Sequence, residues 1–213
     1  TAWQLINRRK ISHTHASSWY HTETFYAMVN DVRPGKFSAD LVKKHDHPRL
    51  IIPFWHEHRL IAFQGRDYDR DARVRYVTTV VDEDYPHIYG LNTVDPEKLV
   101  YVFEGPIDST FVPNSIATAG SDMLGSLARL RTTVPKFKYT DFVICYDQEP
   151  RNKEIVKKMR QCITTGYKIC IWPLWLKEKD MNDVILLGGN ASFVTDRVFQ
   201  GIRADLEMAQ WTR

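Results

Sequence analysis

The run Leu99-Val100-Tyr101-Val102-Phe103-Glu104 decides the fold. Five apolar residues follow one another without the alternation of a half-exposed strand, so the run reads as a strand buried on both faces. Strands of that kind belong to parallel sheets covered by helices. The run stops on a carboxylate, Glu104, and Pro106 then offers a short helix its first turn.

Downstream the rhythm repeats. A weak strand is expected at 115–118, a helix at 122–130 and a second buried strand at 141–146. Asn152 caps a helix with Ile155, Val156, Met159, Cys162 and Ile163 on one face, and Gly166 stops it. Lys168-Ile169-Cys170-Ile171-Trp172-Pro173 is the next strand. This alternation predicts an α/β architecture, a parallel sheet with helices on both faces. Residues 192–208 carry Phe193, Val194, Val198, Ile202 and Leu206 at helical spacing, which predicts one amphipathic helix docked on the core.

Upstream the pattern is mixed, without regular alternation of helix and strand. Residues 19–29 fit a helix or a strand equally. Val32-Arg33-Pro34-Gly35 is a turn signal. The strand-like runs 49–54 and 59–66 flank Trp55-His56-Glu57-His58, which makes a hairpin plausible. The expected organisation is a small mixed α+β basic subdomain over 1–97, a sheet domain over 98–188 and a packed C-terminal helix over 189–213.

The bulk properties narrow the class. With 43% hydrophobic and 26% charged residues the chain has ordinary globular composition. A net charge of +3 permits a nucleic-acid partner without demanding one. The three cysteines form no Cys-x-x-Cys, so a zinc site made by these residues alone is not expected. Cys145 and Cys170 sit in apolar runs and read as buried thiols of a reducing compartment, hence a cytoplasmic location. No apolar run reaches the roughly 18 residues of a membrane span, and no membrane partner is expected. The sequence begins on Thr1 rather than Met, which suggests a fragment or a processed product.

The acids carry the chemistry. Glu104 follows the first buried strand, Asp147 and Glu149 follow the second, and Asp180, Asn182 and Asp183 lie on the loop after the third. An acid after a strand is ordinarily a solvated loop residue. Three clusters at the carboxyl ends of parallel strands are different, because that edge is where open α/β sheets bind ligands. Converging carboxylates repel one another, and magnesium is the natural counter-charge: hard, oxygen-liganded and suited to phosphoryl transfer in pairs.

Glu104-Gly105-Pro106-Ile107-Asp108, Asp147-Gln148-Glu149-Pro150-Arg151 and Lys179-Asp180-Met181-Asn182-Asp183 resemble the three acidic motifs of a TOPRIM domain, in wording nearest to DNA primases of the T-even bacteriophage kind. Phe63-Gln64-Gly65-Arg66 resembles the primase basic motif; Ile88-Tyr89-Gly90 and Arg49-Leu50-Ile51-Ile52-Pro53 also fit. The resemblance implies synthesis of short RNA primers on a single-stranded DNA template from ribonucleoside triphosphates, beside a replicative helicase, in the host cytoplasm if phage-encoded. It implies that Glu104, Asp147 and Glu149 are catalytic and hold Mg2+ or Mn2+, two ions in all. Asp108, Asp180 and Asp183 would support them or take the second ion. Arg66, with Arg49 and Lys179, would contact template or nucleotide, and Gly105 would allow a tight turn. The middle motif is Asp-x-Glu here rather than the commoner Asp-x-Asp. Family primases also carry an N-terminal zinc ribbon, absent from these residues, which bears on initiation.

Other readings stand beside this one. A TOPRIM nuclease or topoisomerase fragment would use the same acids, although it would not need the basic segments upstream. A non-catalytic module that binds single strands or a helicase needs decayed acidic motifs, and these are intact apart from the Asp-to-Glu change. Arg66 can be a surface cation paired with Asp67 or Asp69, and Arg70, Arg73 and Arg75 a solvated mixed-charge loop. His45, His47, His56 and His58 read as exposed and unliganded, and Arg8-Arg9-Lys10 as a solvated basic cluster.

Overall fold

The computed structural model describes residues 1–69, 71–120 and 122–213, so Arg70 lies outside the described residues. The chain divides into two compact units, Thr1–Asn92 and Thr93–Arg213.

The first unit is a four-stranded antiparallel sheet in the order β1-β2-β3-β4 with short helices. Its elements are α1 (Ala2–Arg8), α2 (His13–Ala16), β1 (Tyr20–Thr22), α3 (Phe25–Val32), α4 (Ala39–His45), β2 (Arg49–His56), β3 (Arg59–Asp67) and β4 (Tyr76–Val80). The expected hairpin is β2–β3, running from Arg49 opposite Asp67 to His56 opposite Arg59. Its two-residue turn places Glu57 at φ 49°, the left-handed geometry that matches strand twist in tight hairpins. Residues 19–29, which fitted two states, contain both: β1 and then α3. Phe25 of α3 lies so close under β3 that a Cβ on Gly65 would fall 2.1 Å from its ring. The glycine of Phe-Gln-Gly-Arg therefore lets helix and sheet touch.

The second unit is a five-stranded sheet in the order β6-β5-β7-β8-β9. β5 (Val100–Phe103), β6 (Ser115–Ala117), β7 (Phe142–Cys145) and β8 (Lys168–Cys170) are parallel, each within the run expected from sequence. All four residues of β5 and of β7 are buried, which is why those runs are apolar throughout. The connecting helices are α5 (Pro106–Ser109), α6 (Met123–Thr133) and α7 (Lys153–Thr164). Asp122 caps α6 through the Gly125 N–H, and Asn152 caps α7 through the N–H groups of Glu154 and Ile155. Ile155, Met159, Cys162 and Ile163 are the buried stripe of α7. The three thiols are buried and unpaired.

Two expectations are corrected. Asn182 and Asp183 lie not on a loop but in the first turn of α8 (Met181–Leu186), whose N-cap is Asp180. The tail is not one helix. It is α9 (Ser192–Thr195), β9 (Val198–Phe199) and α10 (Gly201–Trp211), with β9 antiparallel to β8. The Val198 ladder and Gly201 at φ 56° interrupt any continuous helix. As a result α10 docks through Ala204, Met208 and Trp211, while Ile202 and Leu206 are exposed. Among the described residues no helix is long and apolar enough to cross a membrane.

Candidate active site

The acidic edge is assembled by the strand ends. β5 pairs with β7 so that Phe103 lies opposite Cys145, which brings Glu104 and the Asp147 loop to the same edge. The third cluster is tied in by backbone bonds. The Gln148 N–H donates to the Lys179 carbonyl (2.7 Å), and the Asn182 N–H donates to Asp108 Oδ1 (2.9 Å). Glu104, Asp108, Asp147, Glu149, Asp180 and Asp183 are all half-buried, neither lost in the core nor freely solvated.

Their electrostatics differ in an informative way. Burial, followed by the negative charges of Asp180, Glu104 and Glu149, pushes Asp147 up to about 7 against the pull of Lys179. Burial likewise raises Glu104 above the ordinary carboxylate range, with Lys158 opposing. Glu149 is held low by the Lys179 ammonium at 2.8 Å and by the Asn152 amide at 2.7 Å. Lys179 also stands 3.8 Å from Asp147, and it is raised, mainly by Glu149. It is therefore the resident counter-charge of the edge. Asp180 caps α8, accepting the Asp183 N–H at 2.8 Å.

The donor set is all oxygen, and its mutual repulsion is only partly relieved, so a hard divalent cation fits it chemically. Among the described residues no three His, Cys, Asp or Glu side chains are already gathered round a vacant ion position. The Lys179 ammonium lies 3.8 Å from Asp147 and 2.8 Å from Glu149, and its side chain is 57% exposed.

Sequence reasoning missed the residues that hold this edge in place. Gln148, the middle residue of Asp-x-Glu, donates from Nε2 to the carbonyls of Pro173 and Leu176 (both 3.2 Å). Its Oε1 accepts the Trp211 indole N–H at 2.6 Å. The C-terminal helix thus braces the Asp147–Glu149 loop, a role no local signal announces. Ala119, at φ 51°, donates its N–H to the Glu104 carbonyl at 2.9 Å, a left-handed residue beside the first acid. Gly105, expected to permit a tight turn, has an ordinary extended backbone (φ −108°, ψ 140°). A Cβ there would meet Asp108 Oδ2 only at 3.5 Å, an ordinary contact, so neither conformation nor space requires the glycine.

The β2–β3 hairpin of the first unit contains two buried guanidiniums, Arg66 of the basic motif and Arg49 on the strand paired with it. Arg49 is 2% exposed and donates to the carbonyls of Gly65 (3.2 Å), Val74 (2.9 Å) and Arg75 (3.4 Å), with Asp67 Oδ2 at 3.2 Å. Arg66 is 1% exposed and lies over the Tyr76 ring at 4.5 Å. Its Nε is buried without a hydrogen-bond partner, and no ion pair joins it to an acid among the described residues. Burial lowers its pKa, with Tyr76 opposing and Arg9, Arg75 and Arg8 adding to the effect. The expected pairing with Asp67 belongs to Arg49. The helix-end cluster at Arg8 and Arg9 bears on Arg66 rather than standing apart.

No protein-family model matches the chain. It is 30% identical over 203 residues to the DNA primase of Enterobacteria phage T4, an alignment covering 92% of this chain and 55% of that protein. The chain thus spans about half the length of the curated relative it matches. Among solved structures it is similar to the RNA polymerase domain of Mycobacterium tuberculosis primase DnaG, with a TM-score of 0.68 at 14% identity, covering 99% of this chain and 78% of that one. The same domain solved with a double-stranded DNA oligomer bearing a 6-nucleotide overhang gives 0.65 at 16%, covering 99% and 75%. The zinc-binding and RNA polymerase domains of Aquifex aeolicus primase give 0.59 at 18%, covering 88% and 52%. The resemblance drawn from short motifs therefore extends over nearly the whole chain, and the fold is that of primase RNA polymerase domains.

Proposed function

We propose that this chain is the catalytic core of a DNA primase, joining ribonucleotides into short RNA on a single-stranded DNA template. The observation that carries the reading is the gathering of Glu104, Asp147 and Glu149 at the carboxyl edge of one parallel sheet, where burial and then the neighbouring acids push Asp147 up to about 7. The likeness to the phage T4 primase supports it.

Glu104, Asp147 and Glu149 would hold Mg2+ or Mn2+, two ions in all. Asp108, Asp180 and Asp183 would position that set or share the second ion. Bound there, the ions would neutralise phosphate charge and align attacking and leaving oxygens. The protein's own part is positioning. Gln148 locks the Asp147–Glu149 loop, and the Asp108–Asn182 bond holds α8 beside α5. Lys179, whose ammonium lies 2.8 Å from Glu149 and whose side chain is 57% exposed, would contact a nucleotide phosphate. In the first unit Arg66, buried against Tyr76 with its Nε unpartnered, would pair with a phosphate of template or triphosphate once the ring uncovers it. Arg49 holds the hairpin that presents it. A replicative helicase is the expected partner, and the host cytoplasm the expected location if the gene is a phage's.

The test is incubation of the chain with single-stranded DNA, ribonucleoside triphosphates and magnesium, with and without an annealed RNA. Templated RNA is expected, and extension of the annealed RNA should exceed initiation, because choosing a start site needs base-edge contacts outside the acidic edge. Cleavage of the DNA without RNA synthesis would replace this reading with that of a nuclease.

A further inference from the structure

A cavity of about 420 Å3 opens where the N-terminal half of α7 meets the end of α10, lined by Arg151, Lys153, Val156, Lys157, Arg160 and Thr212. Its four charged lining residues are all cations. Lys153, Lys157 and Arg160 recur at i, i+4 and i+7, one face of the helix opposite the buried stripe of Ile155, Met159 and Ile163. All four cations are exposed, and none has a carboxylate within ion-pair distance among the described residues. Arg151 is fixed at the rim by donating from Nη1 to the Thr212 carbonyl at 3.1 Å.

We infer that this stripe is a second nucleic-acid contact, binding the phosphodiester backbone of single-stranded DNA beside the acidic edge. Like charges stacked on adjacent turns destabilise a helix unless something anionic neutralises them. The stripe rises about 6 Å from Lys153 to Lys157 and about 4.5 Å more to Arg160. Successive phosphates of a strand can meet cations so spaced, and a single small anion cannot. The place fits the task, for Pro150 and Arg151 follow Glu149 directly and the cavity begins where the catalytic loop ends. The inference rests on the primase reading for its choice of strand, and it belongs to the second unit alone.

The experiment is fluorescence anisotropy of a labelled oligodeoxythymidylate against salt, for wild type and for the triple variant Lys153→Gln, Lys157→Gln, Arg160→Gln. All three positions are exposed, so the variant should melt like wild type. The slope of log affinity against log salt should become shallower by about 2, at about 0.7 per lost contact, and low-salt affinity should fall at least about tenfold. Replacing the two lysines by arginine should preserve the wild-type slope. An unchanged slope in the glutamine variant overturns the inference, as does a wild type that does not bind the oligonucleotide. Loss of affinity for ATP or for polyglutamate with oligonucleotide affinity retained also overturns it, and would mark a triphosphate site or a protein-docking surface. Failure here is separable from failure of the catalytic reading. An intact polymerase with an unchanged slope loses only the stripe, whereas a chain that joins no ribonucleotides can still show the shallower slope.

Discussion

The β2–β3 hairpin and the carboxyl edge of the parallel sheet both bring charge out of water, and they neutralise it to different degrees. In the hairpin, Arg49 has an acid and three carbonyls while Arg66, in the same sheet and equally buried, has an aromatic face and crowding cations. At the edge, Glu149 has a lysine at 2.8 Å and an amide, while Asp147 lies among other acids with the same lysine only at 3.8 Å. Within each pair the less neutralised member carries a charge that a bound ligand would stabilise, which makes it a functional candidate. In the hairpin the neutralised member, Arg49, ties strands together, whereas at the edge the neutralised Glu149 remains in the proposed metal set.

The sharpest way to break this comparison is to make the same substitution twice in one hairpin. Arg49→Met leaves Asp67 with His47 alone as its side-chain partner and removes the hydrogen bonds to the carbonyls of Gly65, Val74 and Arg75, so stability in urea should fall by about 3 kcal/mol. Arg66→Met removes an unpaired buried cation and should leave stability unchanged or raised. Equal losses from the two would mean that neutralisation does not separate structure from function.

A smaller effect is expected on binding. Arg66→Met should weaken template or nucleotide affinity about tenfold and lower the salt slope by about one unit, as loss of one phosphate contact requires. Unchanged affinity and slope would make Arg66 a packing residue.

The smallest effect sharpens the acidic half. Asp147 has a folded-state pKa raised above its unfolded value, so its contribution to stability is complete below about 4 and is lost as pH rises through about 7. Without metal, the melting temperature of wild type should therefore fall relative to Asp147→Asn as pH rises from about 4 to about 7, and then level off. Mn2+ affinity of wild type should rise over the same interval, because the protonated acid cannot bind a cation. Parallel melting curves for the two proteins would remove Asp147 from the account.

Much of the architecture was legible because buried parallel strands need unbroken apolar runs; 99–103, 141–146 and 168–173 could be little else. The tail was not. Val198, Ile202 and Leu206 keep helical spacing, yet a two-residue ladder with β8 overrides it, and periodicity cannot register so short a strand. The acids could be named from their places after strands. Their support could not, since Gln148 reaches 63 positions along the chain to Trp211 and no local pattern encodes that contact. Neutralisation was equally invisible: Arg49 and Arg66 look alike in sequence, and only their surroundings tell them apart.

The central claim is that the carboxylate edge is the centre of RNA synthesis and that its charges serve chemistry rather than folding. Glu104→Gln tests both halves in one comparison, extension of an RNA annealed to DNA measured beside the melting temperature. The account predicts extension reduced at least about a hundredfold, with melting unchanged or higher because repulsion with Asp147 and Glu149 is relieved. Extension at the wild-type rate, or its loss together with a collapse of the fold, would contradict it.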